Sequence, residues 1–213
     1  MTDALRELVR VMDRLRSPGG CPWDAEQTHG SLVPYALEET YELVEAIETG
    51  DRAGLREELG DVLLQVVFHA RIAAEDPDDP FDVDDVAADL VAKLVRRHPH
   101  VFGPDAADRG RRGTDLHVQW DQLKNAEKAR ESALDGVPLA LGALARAQKV
   151  ADRAARAGLA QQPAPSGDDL GDRLLALVLE ARSTGVDAEG ALRRSAAAWE
   201  KALRANEGTT GST

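Results

Sequence analysis

Residues 34–67 read PYALEETYELVEAIETGDRAGLREELGDVLLQVV, a pattern that predicts two helices folded back on each other across one tight turn. Pro34 suits a helix's first turn, where its missing N–H costs nothing. Helical spacing continues to about Thr49. Gly50 stops it, and Asp51 is a good N-cap for a second helix over about 52–74. On that second helix Leu55, Leu59, Val62, Leu63, Val66 and Val67 make an apolar stripe. The acids lie at its edge: Glu38, Glu39 and Glu42 on the first helix, Glu58 and Asp61 on the second.

Residues three or four apart on a helix share a face, so Glu39 projects with Glu42 and Glu58 with Asp61. The two pairs have midpoints equidistant from Gly50. In an antiparallel hairpin both therefore stand at one level, about 14 Å from the turn at ~1.5 Å per residue. Four carboxylates gathered there raise one another's pKa values and oppose folding unless a cation joins them. An all-oxygen set suits Mg²⁺, with Mn²⁺ able to substitute, better than zinc. The alternative is a hairpin whose acids simply face solvent.

Outward from the hairpin, the chain keeps reading as helix. Leu5, Leu8, Val9, Met12 and Leu15 predict one over 3–16, ended by the loop SPGGCPWD at 17–24. After the acidic loop 75–85 a helix runs to about His98 and is closed by Pro99. Further helices are expected over 115–131, 138–158 and 169–205, with a linker at 161–169 and a disordered tail at 206–213. No strand is evident, so the fold class is all-α, a helical bundle.

Composition agrees. The 213 residues are 43% hydrophobic, 30% charged and only 4% aromatic, which favours helices packed through small aliphatic side chains. A lone cysteine, Cys21, excludes an internal disulfide framework. The N-terminus lacks the apolar core of a signal peptide and nothing is long enough to span a bilayer, making the cytoplasm the default location. The net charge of −12 is unevenly spread: Glu38–Asp89 holds 17 acids against three bases, whereas Lys93–Arg130 holds nine bases against five acids. An acidic face disfavours a nucleic acid polymer as partner.

The chain also echoes itself. Leu59-Gly60-Asp61-Val62-Leu63-Leu64 returns as Leu170-Gly171-Asp172-Arg173-Leu174-Leu175, and Val67–Arg71 as Val178–Arg182 at the same offset. Met12-Asp13-Arg14 returns as Ala151-Asp152-Arg153 at an offset 28 residues longer. Two tandem modules are therefore expected, 1–134 and 135–205, the second lacking the helix that carries Glu38, Glu39 and Glu42. Its Asp169 and Asp172 stand where the first has Glu58 and Asp61, and half a carboxylate site is expected to be catalytically dead.

Taken together, Glu38-Glu39-Thr40-Tyr41-Glu42 and Glu58-Leu59-Gly60-Asp61, with CPWDAEQTHGSLVPYALEETYELVEAI, REELGDVLLQVVFHARIA, KLVRRHPHVFG and VQWDQLKNAEK around them, resemble the MazG-type nucleoside triphosphate pyrophosphohydrolases. The resemblance is strong over about 5–150 and traceable beyond. It implies an all-α enzyme that hydrolyses a nucleoside triphosphate to monophosphate and pyrophosphate, broad in base, serving to clear aberrant nucleotides. It implies Glu39, Glu42, Glu58 and Asp61 as metal ligands; Glu38 either orients the attacking water or supports the ligands. It likewise implies a homodimer, which a hairpin needing another layer over its apolar face would also explain.

The resemblance further implies that Lys93 and Arg97, with Arg96 adjacent, hold the phosphates, and that Trp120 and Lys124 lie near the nucleotide. Arg and Lys are the usual phosphate partners, although cations in a helix's last turn are favourable by themselves. Trp120 either stacks on the base or packs in the core, and Trp23 either lines the base pocket or packs structurally. His69, His98 and His100 are expected to cap or pack. A di-iron carboxylate protein needs two Glu-x-x-His motifs, and only Glu26–His29 fits. A dUTP- or dCTP-specific relative and a non-catalytic partner-binding protein remain the competing readings.

Overall fold

The computed structural model describes residues 3–103, 132–159 and 167–210, and divides the chain into two compact units, Met1–Trp120 and Asp121–Thr213. The division lies ahead of the expected boundary at 134. Every regular element among the described residues is a helix. The helix expected over 115–131 lies outside them.

In the first unit α1 spans Ala4–Arg16, α2 Pro22–Glu26, α3 Val33–Thr49, α4 Arg52–Ala73, α5 Val83–Arg97 and α6 Pro99–Phe102. The short α2 and α6 were not expected. Each has Pro in its first turn, where the fixed φ of Pro favours helix; Pro99 thus opens a helix as well as closing α5. Between α3 and α4 the chain turns as the sequence demands. Gly50 adopts φ 72°, a left-handed cap, and the Asp51 carboxylate accepts from the N–H groups of Ala53 and Gly54. Asp82 and Asp85 form a reciprocal capping box on α5.

The core of this unit joins α1, the loop before α3, and α4. Met12, Leu32, Val67 and Phe68 are buried, with Leu8, Leu15, Leu63, Leu64 and Ile72 packed around them. Each such side chain contributes about 1.5–3 kcal/mol by leaving water. A polar strap lies beside it. The Arg16 side chain, 5% exposed, donates to both oxygens of Glu75 and to the carbonyls of Asp24 and Gln27. Its guanidinium also lies 5.6 Å from the Phe68 ring centre. Arg71 bridges Glu75 and Asp13, each at 2.8 Å. The Arg16 hydrogen bond, seconded by the charges of Arg16 and Arg71, holds the Glu75 carboxyl below the usual range against the opposing effect of burial. This strap fixes α4, the helix that carries Glu58 and Asp61, against α1.

In the second unit α7 spans Ala143–Arg156, α8 Leu170–Ser183 and α9 Ala188–Thr210. The helix expected from 138 starts five residues later, at 143. The single helix expected over 169–205 is two, broken where Gly185 takes φ 74° and restarted where the Asp187 carboxylate accepts from Gly190. α9 runs on to Thr210, through most of the expected tail. The sequence echo has a structural counterpart. Arg182 Nε donates to Asp152 at 2.8 Å, as Arg71 Nε does to Asp13 at 2.8 Å, and the matched Val67 and Val178 are both buried. At the head of α8, Asp169 is an N-cap, its Oδ1 accepting from the N–H groups of Gly171 and Asp172.

Candidate metal centre

The reversal at Gly50 brings Glu39 of α3 beside Glu58 and Asp61 of α4. One carboxylate oxygen from each lies within 4.8 Å of the others. Two oxygens opposite each other on an octahedral Mg²⁺ are about 4.2 Å apart at ~2.1 Å per bond, so a small rotamer adjustment closes the group on one ion. All three residues are half-buried. Among the described residues this is the cluster of three or more His, Cys, Asp or Glu that could share an ion.

Electrostatics shows the strain of that assembly. Desolvation pushes the Glu39 carboxyl above the usual range, and Asp61, Glu42, Glu58 and Glu38 push it further. Glu58 is raised too, first by desolvation, then by Glu42, Asp61 and Glu57. Glu42 therefore stands close enough for its charge to be felt by both, although it is exposed and outside the 4.8 Å group. Glu38 is exposed. A site of oxygen donors that repel one another in its own protein is what a divalent cation would relieve.

Lys93, Arg96 and Arg97 stand on the last turns of α5, the first two exposed and Arg97 half-buried. Trp120 and Lys124 lie outside the described residues. Trp23, 49% exposed, meets Tyr35 and Phe68 edge to face, with centroids 5.8 and 6.5 Å apart. His98 caps its own helix through Nδ1 to the Leu94 carbonyl at 2.6 Å.

A sequence model described as the MazG nucleotide pyrophosphohydrolase domain matches residues 27–102, the span that holds α3, α4 and α5. The chain is 40% identical over 227 aligned positions to a protein named nucleoside triphosphate pyrophosphohydrolase from Escherichia coli K12, covering 92% of this chain and 84% of that one. The chain belongs to the MazG family. A second MazG relative, the nucleoside triphosphate pyrophosphohydrolase/pyrophosphatase of Thermotoga maritima, is 39% identical over 89% of this chain and 80% of its own. An uncharacterized 26.1 kDa protein of Streptomyces cacaoi is 54% identical over 96% and 83%. The E. coli alignment is longer than this chain of 213 residues, so that relative carries positions with no counterpart here. Among the described residues no helix is long and apolar enough to cross a membrane.

One constellation in this MazG chain escaped the sequence. His29, in the loop before α3, and His69, on α4, stack with parallel rings 5.1 Å apart, their Nδ1 atoms 2.8 Å from each other. Burial, then the charge of His29, lowers the pKa of His69. The signal was there: reflecting position 69 through Gly50 gives 31, two residues from His29. The same reflection levels Glu39 and Glu42 with Glu58 and Asp61.

Proposed function

We propose that this chain hydrolyses nucleoside triphosphates, ribo- and deoxyribo-, between the α and β phosphates in a reaction that depends on Mg²⁺. The observation that carries the reading is the convergence of Glu39, Glu58 and Asp61 within 4.8 Å across the helix hairpin. With Glu42 one turn along α3, these residues would hold the cation. When bound, it supplies charge neutralisation for the triphosphate and makes a hydroxide-like nucleophile available near neutral pH. Glu38, beside the ligands, orients the attacking water. Lys93 and Arg97 take the phosphates. Water adds at the α-phosphorus, the α–β bridging bond breaks, and pyrophosphate leaves with the electron pair.

Broad base tolerance and a role in clearing aberrant nucleotides are the physiological side of this reading, with the cytoplasm as its place. Two copies associate. Leu37, Tyr41 and Ile47 on α3 and Leu59 on α4 are each at least half exposed, an apolar surface that a second copy would cover. The second unit is a truncated copy of the first. It keeps the ion pair of the fold and lacks the acidic helix, and its Asp169 is spent on capping.

The test is a panel of NTPs and dNTPs, with Mg²⁺ and with chelator, read by ³¹P NMR. Monophosphate and pyrophosphate from several bases support the reading. Diphosphate and orthophosphate would contradict the bond assigned. Turnover of dUTP or dCTP alone would select the specific relative, and no Mg²⁺-dependent release of pyrophosphate would leave a non-catalytic protein.

A further inference from the structure

Beside the carboxylates lies a pocket of about 330 Å³ whose lining includes His29, Thr40, Val62, Gln65, His69 and Phe81. That volume is at the lower end of small-molecule sites, roughly 300–1,000 Å³. Val62 and Gln65 stand one turn along α4 from Glu58 and Asp61, on the face these acids share, so the pocket continues the metal centre along the hairpin. At ~1.5 Å per residue, Gln65 is about 6 Å and His69 about 12 Å along α4 from Asp61. Those distances suit a base whose α-phosphate is at the carboxylates.

The polar groups of this pocket are incomplete in the protein alone. Gln65 is 91% buried (9% exposed), and its Oε1 has no hydrogen-bond partner. A buried acceptor left so is costly, and native proteins rarely tolerate it without a ligand or water to supply the donor. The histidine pair adds a fixed complement. With Nδ1 facing Nδ1 at 2.8 Å, one neutral ring donates and the other accepts. Of the two outer Nε2 atoms, one must then be a bare acceptor and the other an N–H donor. Together with Gln65 Oε1 the pocket has two acceptors that need donors, beside the donors on the Gln65 amide nitrogen and on the other Nε2. An exocyclic amino group beside a ring nitrogen, or beside a ring N–H and a carbonyl, matches that set. The imide edge of uracil, one N–H between two carbonyls, does not.

We propose that this pocket holds the nucleobase and that Gln65, with the His29–His69 pair, reads its exocyclic amino group, so that adenine, cytosine and guanine are favoured over uracil within a broad tolerance. The proposal rests on the triphosphate reading of the carboxylate site and deepens it.

Two measurements separate their failures. Nucleosides without phosphate are titrated into the protein while the imidazole C–H signals of His29 and His69 are followed by NMR, assigned with His29→Asn and His69→Asn. Adenosine and cytidine should shift both signals, and Gln65→Leu should weaken that response. Signals unmoved by any nucleoside would overturn the proposal whether or not pyrophosphate is released. In turnover, parent kcat/KM should fall about tenfold from ATP to purine riboside triphosphate, which lacks the amino group, mainly through KM. Gln65→Leu should abolish that discrimination, with a smaller loss on base-free ribose 5-triphosphate than on ATP. A variant that still discriminates, or that loses activity equally on all three, would also overturn it. Absence of pyrophosphate release together with shifted histidine signals would sink the hydrolase reading and leave the pocket standing.

Discussion

At the scale of single residues, Glu39 and Glu58 are held among other acids at a cost that a bound cation would relieve. Both carboxyls have raised pKa values in the folded state, so between the unfolded and folded values the native state binds the extra proton. Stability contributed by these groups therefore falls as pH rises through that interval. Glu58→Gln should raise the melting temperature of chelator-treated protein at pH 7 while lowering turnover at least about a hundredfold; calorimetry and a pyrophosphate assay read the two. A melting temperature that drops would show that Glu58 serves the fold. Glu75 behaves in the opposite sense. Its carboxyl is held low by Arg16, so its stabilisation is present above the unfolded value near 4.5 and is lost as pH falls through the lower folded value. Arg16→Ala leaves Glu75 to Arg71 alone and takes one donor from each of two carbonyls, and should cost about 3 kcal/mol in urea unfolding at pH 7. In acid the difference from the parent should shrink.

At the scale of elements, the α3–α4 hairpin was legible because its punctuation is chemical. Gly50 is the residue for a left-handed cap and Asp51 the residue for the next N-cap, and both act so. The levelling of the acids follows from arithmetic about that turn. Helix α1 was equally readable, whereas α5 starts at Val83, inside the loop expected over 75–85. Less legible were the short helices opened by Pro22 and Pro99, which are too brief to show a period, and the break at Gly185, hidden inside an Ala/Leu-rich stretch. The histidine pair was missed because residues forty apart show no periodicity along the chain. The loop between α1 and α2 carries a prediction of its own. A Cβ on Gly20 would sit 2.2 Å from the Leu15 carbonyl oxygen and 2.3 Å from that of Arg14, which no rotamer can relieve. Gly20→Ala should lower the melting temperature, whereas Gly60→Ala, where a Cβ meets nothing within 4 Å, should leave it unchanged or raise it. Equal effects at the two positions would show that the loop yields freely.

At the scale of the whole molecule, the carboxylate hairpin stands in the first unit, and the second carries an ion pair that matches one of the first. The ion pairs Arg71–Asp13 and Arg182–Asp152 each join two helices of their own unit, while Asp169 caps α8 and Glu58 faces the acids of α3. Asp169→Asn with Asp172→Asn keeps an N-cap of similar strength and should leave turnover within about twofold; a large loss with the fold intact would assign the second unit a part in the reaction. The proposed function requires the acids of two helices to act on one ion. Binding of Mn²⁺, followed by electron paramagnetic resonance in the presence of a non-hydrolysable triphosphate analogue, reads that directly in the parent and in Asp61→Asn. Saturable binding by the parent, weakened at least tenfold in the variant, is the expected result. Equal binding by both proteins, or none by either, would contradict it.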